Sequence, residues 1–506
     1  MTGGQVAAAR SDEDSLLEEY GYKQELDRDL RFWTTWAIGF AFVSPIVGLY
    51  TIVALGVTTA GPAWIWSIPL VALGQMTLAL VYAQLAARWP IAGGIYQWSR
   101  RLIGPKYGWW AGWVYMWALV LIVSGVTYAG GGFFGDLIGV SHTSHLSNVL
   151  LGLALLAIIT LINAVGLKLL KYAILIGIGA ELIGSVAVGI ALLLVARHQP
   201  ASVLVDTSAT PGGVAFLPAF IAAVAFAGWA FLGFDACGSV AEETRNPRKA
   251  VPKAIVLSII PVVAVEILSA VALMLATPDM KALVSGAVAD PVAYAVVGGL
   301  GQWAEKPFLA VVVIGFLACA LAVQATAVRV VFSFSRDSMV PGAGLWRRVS
   351  GQNGIPVNAV LLVAALAALA FLYANALDVL VTFSTGAYFV GFLCPVAALL
   401  YVRLRGRWTP HPDGPYRGLF GLAVTVVAFV WALAEGINIA WPRSSGGPWY
   451  QTWAVLLGMA IFVAVGAVYF LWRRPDRRLT LDSAALGGAP SLDSASAAGV
   501  AETVAP

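Results

Sequence analysis

Charge is what this chain has least of. Of its 506 residues 11% are Asp, Glu, Lys or Arg, while 60% are hydrophobic. A water-soluble protein carries about 25% charged residues. This chain lacks the polar material to cover a water-facing surface, so most of it must face lipid. Cysteine is also scarce: Cys237, Cys319 and Cys394 each sit in an apolar run, without the spacing of a disulfide framework or a metal site. The four histidines, His142, His145, His198 and His411, fall in expected loops. No phosphate loop, hydrolase triad or metal-ligand cluster stands out, so the sequence predicts no enzyme, no metal and no cofactor, and it gives no sign of a nucleic-acid partner. The first 31 residues are polar and charged, which predicts no cleavable signal peptide.

What the chain has instead is apolar length. Twelve stretches reach the roughly 20 residues that cross a bilayer, near 33–56, 63–87, 109–130, 148–167, 172–196, 216–240, 254–276, 307–334, 357–375, 378–402, 419–440 and 450–472. The expected fold is therefore an all-α integral membrane protein with twelve transmembrane helices. All but four of the 30 Lys and Arg residues fall in loops on one side, the exceptions being Arg197, Lys281, Lys306 and Arg443. That bias puts both termini in the cytoplasm. Residues 1–31 read as a cytoplasmic segment that is partly disordered, and residues 475–506, rich in Ala, Ser and Gly, as a disordered tail. The mixed aromatic and basic loop at 88–107 suits an interfacial helix. The long loop at 277–306 contains an amphipathic piece near 290–300, either a cap over an outer cavity or a plain surface helix.

Two of the spans are interrupted. In the first, Ser44-Pro45 sits near the centre with Gly48 just after; Pro45 removes a backbone donor and clashes with the preceding turn. In the sixth, Gly228 and Gly233 weaken the helix at its middle, and Asp235 follows at a depth where an acid is expensive. The two breaks lie five helices apart, so their helices cross in opposite directions. Such interruptions in corresponding places of two halves point to a transporter site built from inverted repeats; ordinary kinks are the other reading. A half-helix N-terminus can hold a carboxylate and the opposing C-termini an ammonium. The sequence thus predicts a substrate site from Ser44, Ile46, Val47, Gly48 and Tyr50 in the first span and Phe226, Gly228, Trp229 and Gly233 in the sixth. Trp229 and Tyr50 are candidates to cover the substrate.

Gly233-Phe-Asp-Ala236 and the run Val240-Ala-Glu-Glu-Thr-Arg-Asn-Pro-Arg-Lys-Ala-Val-Pro252 resemble the amino acid–polyamine–organocation transporter superfamily, and within it the amino acid/choline branch that includes GABA and choline permeases. Gly21-Tyr-Lys-Gln-Glu-Leu26, Ser44-Pro-Ile-Val-Gly48, Pro90-Ile-Ala-Gly-Gly-Ile-Tyr-Gln-Trp98, Arg336-Asp337 with Pro341, and Gly354-Ile-Pro-Val-Asn358 carry the same resemblance, in order, over about residues 20 to 475. It implies a five-plus-five inverted-repeat (LeuT-like) core with broken helices 1 and 6. The core would span 32–403 in two halves, about 32–197 and 215–403, with two additional helices over 404–474. It also implies alternating access, a site between spans 1, 3, 6, 8 and 10, and an aromatic gate at Trp229. One residue departs from the pattern. Many relatives carry Ser or Thr where this chain has Val47, so a hydroxyl for the substrate carboxylate is missing there and backbone N–H groups, with Ser44, are left for it.

Four acids fall within expected spans: Glu181, Asp235, Glu266 and Glu435. Some superfamily members place a lysine at the position resembling Glu181, where it replaces a sodium ion. A glutamate there either carries a proton or cation, or is simply paired with a neighbouring donor. Asp235 resembles an acid assigned to gating. Glu266 and Glu435 have no motif around them and read as structural or near an interface. Glu242, Glu243 and Arg336 are candidate members of an inner gate, together with Arg100, Arg101 and Arg245; a solvated interface is the other reading. The expectation is a secondary active permease in the plasma membrane for an amino acid or related small amine such as GABA, with protons or sodium as coupling partners. The alternatives are a choline or polyamine transporter and a membrane-embedded sensor.

Overall fold

The computed structural model describes residues 17–140, 144–288, 290–350, 354–371, 377–443 and 449–477. Residues 1–16 of the expected N-terminal segment and residues 478–506 of the expected tail lie outside them. Among the described residues the architecture is all-helical, with one single-residue parallel bridge between Leu30 and Thr244. Eleven helical stretches among the described residues are long and apolar enough to cross a membrane: Phe32–Ala60, Pro62–Arg88, Pro105–Ile138, His145–Val165, Leu167–Val195, Phe216–Ser239, Pro247–Ala276, Gln302–Arg336, Leu380–Leu404, Gly418–Ala440 and Val455–Arg473. Each overlaps an expected span. The remaining one, near 357–375, is represented by Val357–Ala370, a helix of 14 residues. At 1.5 Å per residue it reaches about 21 Å, short of the roughly 30 Å hydrocarbon core; residues 372–376 of that expected span lie outside the described ones.

We number the main helices in order: α1 (Phe32–Val43), α2 (Pro45–Ala60), α3 (Ser67–Arg88), α4 (Ile95–Ile103), α5 (Pro105–Ile138), α6 (His145–Val165) and α7 (Leu167–Glu181). A π-helical turn, Leu182–Ala187, joins α7 to α8 (Val188–Val195). After α9 (Phe216–Ala227) and α10 (Ala236–Ser239) come α11 (Pro247–Ala276), α12 (Glu305–Arg336), α13 (Val357–Ala370), α14 (Leu377–Leu404), α15 (Gly418–Ala440) and α16 (Ala454–Arg473). α12 and α5 form the centre, packed on each other, with α1 and α7 against α12 and α14 against α5. Glycine permits the closest approaches: a Cβ on Gly131 of α5 would stand 2.8 Å from the backbone nitrogen of Gly152 in α6, the small-residue contact that membrane helices use in place of a hydrophobic driving force. Leu419 and Phe420 of α15 and Val468, Leu471 and Trp472 of α16 are exposed, as lipid-facing positions should be.

Three segments are more buried than their composition suggests. Residues 17–31 are not a loose polar lead: Leu17, Tyr20, Tyr22, Leu26 and Leu30 are buried. The helix expected within 88–107 exists as α4, and Ile95 through Arg100 are buried, so one face docks on the bundle, with Tyr96 edge-on to Phe334. The first three residues of the expected tail form a short turn, Pro475–Arg477, with Pro475 buried. The piece near 290–300 is a helix, Pro291–Leu300, started by the Asp290 carboxylate accepting N–H groups of Val292 and Ala293 at 2.9 and 3.0 Å, and it packs on α11 and α8.

Candidate functional site

The first break has a local cause. The residue before a proline is pushed out of the helical region, and Ser44 adopts φ 46°, ψ 103°. A positive φ is strained for a residue with a Cβ. Ser44 ends α1 by donating its N–H to the Phe40 carbonyl at 2.8 Å, and begins α2 by accepting the Val47 N–H on its hydroxyl oxygen at 3.2 Å. Pro45 takes the first position of α2, where its missing N–H costs nothing.

The second break is longer. α9 tightens into a 3-10 turn at Gly228–Phe231, the chain extends at Leu232, and Gly233 takes φ 105° before α10 begins. Gly233 is required twice over, because a Cβ there would also lie 2.0 Å from the Phe42 ring of α1. Likewise a Cβ on Gly48 would stand 3.0 Å from the Ala230 carbonyl oxygen. The two interrupted helices therefore meet at their breaks.

Glu181 reaches into that junction. It ends α7, where the π-helical turn begins, a feature that recurs at functional sites. The Ser44 hydroxyl donates to Oε1 of Glu181, and the Ile46 N–H donates to Oε2 at 2.9 Å. The free N–H groups of α2, expected to receive a substrate carboxylate, hold one from the chain itself. The π-turn also presents carbonyls: Gly184 accepts the Tyr50 hydroxyl at 2.9 Å and Ser185 accepts the Ser269 hydroxyl at 3.2 Å.

Between the breaks lies a small cavity lined by Phe42, Val43, Val47, Gly48, Ile122, Val126, Trp229, Leu232 and Cys319. Its volume of about 10 Å³ is room for roughly one water. Of the residues expected to bind substrate, Val47, Gly48 and Trp229 line the cavity. Ser44 faces Glu181. The Ile46 side chain lies against Gly184 and Gly315, and Gly228 lies near Phe389 and Glu435. Tyr50 points its hydroxyl at the π-turn, and Phe226 is half-buried on α9 and not part of the lining. The spans 3 and 8 contributions, Ile122, Val126 and Cys319, carry no motif; only their place on spans that the resemblance implies could have found them.

The other acids separate by their partners. Asp235 accepts the Tyr115 hydroxyl from α5 and the Tyr388 hydroxyl from α14, the latter at 2.8 Å. Glu435 of α15 accepts the Asn438 side-chain amide at 3.2 Å through one oxygen; the other has no hydrogen-bond partner among the described residues and would lie 3.4 Å from a Cβ on Gly228. Glu266 of α11 is fully buried, with neither oxygen hydrogen-bonded among the described residues, and faces Gly48. Nothing around Glu266 in the sequence signals this.

One end of the bundle is fastened by charge. Arg336 makes a two-pronged contact with Glu242 at 3.0 and 2.8 Å, and Arg329 another with Glu243 at 2.7 and 2.8 Å. Both glutamates are buried, so these are not the solvated pairs worth little at a surface. Arg336 also stacks 3.8 Å over the Tyr22 ring. Arg100 pairs with Asp337 at 2.6 Å, and Tyr22 and Tyr96 donate hydroxyls to the same carboxylate. Burial works against the Arg100 charge, but Asp337 and the two tyrosines outweigh it and raise its pKa. Arg245 reaches Asp29 at 3.3 Å on a more exposed flank, and Arg101 donates to the Tyr20 carbonyl. Residues 17–31 thus lie over the chain after α10 and the end of α12.

Residues 30–465 match the family described as amino acid permease. Among similar proteins, an uncharacterized amino-acid permease of Schizosaccharomyces pombe is 24% identical over 487 residues, covering 92% of this chain and 88% of that one. The amino-acid permease BAT1 of Arabidopsis thaliana is 25% identical, covering 84% and 88%. A choline transporter of Saccharomyces cerevisiae is 24% identical, covering 82% and 76%. On that match the chain belongs to the amino acid permease family, multi-pass membrane transporters of the amino acid–polyamine–organocation group and not enzymes.

Proposed function

We propose that this protein is a secondary active transporter of the plasma membrane, moving an amino acid or a related small amine such as γ-aminobutyrate by alternating access. In this reading the twelve apolar stretches are spans, ten of them in two inverted halves, 32–197 and 215–403. The two over 404–474 are additions, and both termini are cytoplasmic. The observation that carries it is the meeting of the two helix breaks around a small cavity, with Gly48 against Ala230 and Gly233 against Phe42. Irregular backbone at this depth is tolerated only where protein or a cavity covers it, and a cavity between broken helices is where secondary transporters hold cargo. Protons are the proposed coupling ion and Glu181 their carrier. The paired ends of α10 and α12, through Glu242, Glu243 and Arg336, are the proposed inner gate.

The buried acids favour one second reading, transport of an organic cation such as choline, the substrate named for one relative. Uptake into proteoliposomes tests both: labelled amino acids, γ-aminobutyrate, choline and putrescine are offered with and without an imposed pH gradient. Accumulation of an amino compound under an inward proton gradient is expected. Ligand binding without any uptake would overturn the transport reading in favour of a sensor.

A further inference from the structure

Glu266 belongs to none of the networks above. It is completely buried, and both of its oxygens lack a hydrogen-bond partner among the described residues. A Cβ on Gly48 would lie 2.6 Å from its Oε1 and 3.0 Å from the Ala230 carbonyl oxygen. Carboxyl and carbonyl therefore converge on one point beside Gly48, which itself lines the cavity, and the absence of a side chain on Gly48 is what lets both oxygens approach it. Both groups are acceptors when the carboxyl is ionised. The donors at the start of α2 are committed: the Ser44 hydroxyl and Ile46 N–H to Glu181, the Val47 N–H to the Ser44 hydroxyl oxygen, and the Gly48 N–H to the Ser44 carbonyl. The cavity's other side chains, such as Phe42, Val43, Ile122 and Leu232, bring no donor apart from the Trp229 indole and the weakly donating Cys319 thiol, which points at the Phe42 carbonyl. A buried carboxylate without a partner is unfavourable, and a cation brought in from outside the chain would relieve it.

We propose that Glu266 and the Ala230 carbonyl form the subsite for a positively charged nitrogen of the transported molecule. An ammonium there donates one N–H to each acceptor, with the Trp229 face nearby to favour a cation. This rests on the transport reading and narrows it. Because Glu181 already fills the N-terminus of α2, the site has no vacant anion position beside the ammonium. An alkylamine, a diamine or an amino acid whose carboxylate is far from its amine fits that charge pattern better than an α-amino acid.

The test is equilibrium binding of labelled putrescine, γ-aminobutyrate and alanine to the purified full-length protein, in sodium-free and sodium-containing buffer, for wild type, Glu266→Gln and Glu266→Asp. Wild type binds putrescine or γ-aminobutyrate more tightly than alanine. Glu266→Gln weakens that binding about tenfold or more, and Glu266→Asp, which keeps the charge, falls between. Thermal unfolding checks that the variants are folded; if the glutamine variant is not, the aspartate variant carries the test, and wild-type affinity in both folded variants overturns the proposal. So does a wild type that binds none of the three, or a loss seen only with sodium present, which would make this a metal-ion position. Uptake that Glu266→Gln leaves unchanged overturns the subsite and spares the transport reading. Glu266-dependent binding without uptake does the reverse.

Discussion

The backbone N–H of Ile46 donates to Oε2 of Glu181 at 2.9 Å, so the fifth span plugs the positive end of the half-helix that the first span exposes. A helix N-terminus concentrates about half a positive charge on unsatisfied N–H groups, and a carboxylate is its natural partner. Here the partner is covalently part of the protein, seated by the Ser44 hydroxyl and by the start of the π-helical turn. Any change in the protonation or position of Glu181 is therefore transmitted to the break itself.

That coupling gives the first prediction. Glu181→Gln keeps an oxygen for the Ile46 N–H but fixes the side chain in a neutral state. A proton-coupled carrier then loses accumulation driven by a pH gradient while retaining exchange of substrate for substrate. Glu181→Ala leaves the Ile46 N–H and the Ser44 hydroxyl without their acceptor and lowers stability by about 1–3 kcal/mol, read as a lower melting temperature. Normal gradient-driven accumulation in Glu181→Gln would reduce the carboxyl to a structural hydrogen-bonding group.

A second prediction concerns Arg336. Its removal leaves Glu242 buried with the Ala92 N–H at 3.0 Å as a remaining donor. Breaking a buried pair in this way costs about 3–5 kcal/mol, all of it in the conformation where the pair is closed. Arg336→Gln therefore shifts the protein toward a form open at this end. Cys237, which is buried on α10 five residues before Glu242, should react severalfold faster with a maleimide, located by peptide mapping. An unchanged Cys237 rate would mean that the pair does not control access.

Much of this arrangement was legible in the sequence, for particular reasons. The spans could be read because apolar length has one cheap explanation, and the breaks because Pro45 and Gly233 act through local backbone sterics. What tertiary packing decides could not be read. The composition of α4 suits an interface, but does not say that Tyr96 and Arg100 would be buried against the bundle. Tyr50 sits beside the break in sequence, yet its hydroxyl found the Gly184 carbonyl and its ring turned from the cavity. Glu266 is a single acid in an apolar helix, and a sequence does not say what faces it. Glu435 lies in a span outside the expected ten-helix core but reaches Gly228 all the same.

Asp235 supplies a third prediction. Two tyrosines from different helices, Tyr115 and Tyr388, hold its carboxyl. Tyr388→Phe removes one donor from a fully buried acid and should cost about 1–3 kcal/mol. Tyr115→Phe together with Tyr388→Phe should depart from the sum of the single changes, since both act on one carboxyl. Melting temperatures of the four proteins in the cycle measure this. Strict additivity would show the two contacts to be independent.

Trp229 is buried, lines the cavity and faces Gly125, where a Cβ would stand 3.3 Å from its ring. Trp229→Ala enlarges the cavity toward the third span. The apparent affinity for substrate should fall and exchange should slow, alongside a lower melting temperature, because truncating a buried Trp costs about 3–5 kcal/mol. If affinity and exchange both match wild type, the indole only packs.

Gly48 separates space from chemistry. A Cβ there meets Oε1 of Glu266 at 2.6 Å and the Ala230 carbonyl oxygen at 3.0 Å. The first is the end of a flexible side chain and can swing away; the second is backbone and cannot. Gly48→Ala should therefore fold, displace Glu266 and weaken binding of an amine. Gly48→Leu adds a branched chain to a cavity with room for about one water, and should abolish binding. Both variants are compared with wild type by ligand binding and by elution as a single monodisperse species. Wild-type affinity in a folded Gly48→Leu protein would place the substrate elsewhere than between these two breaks.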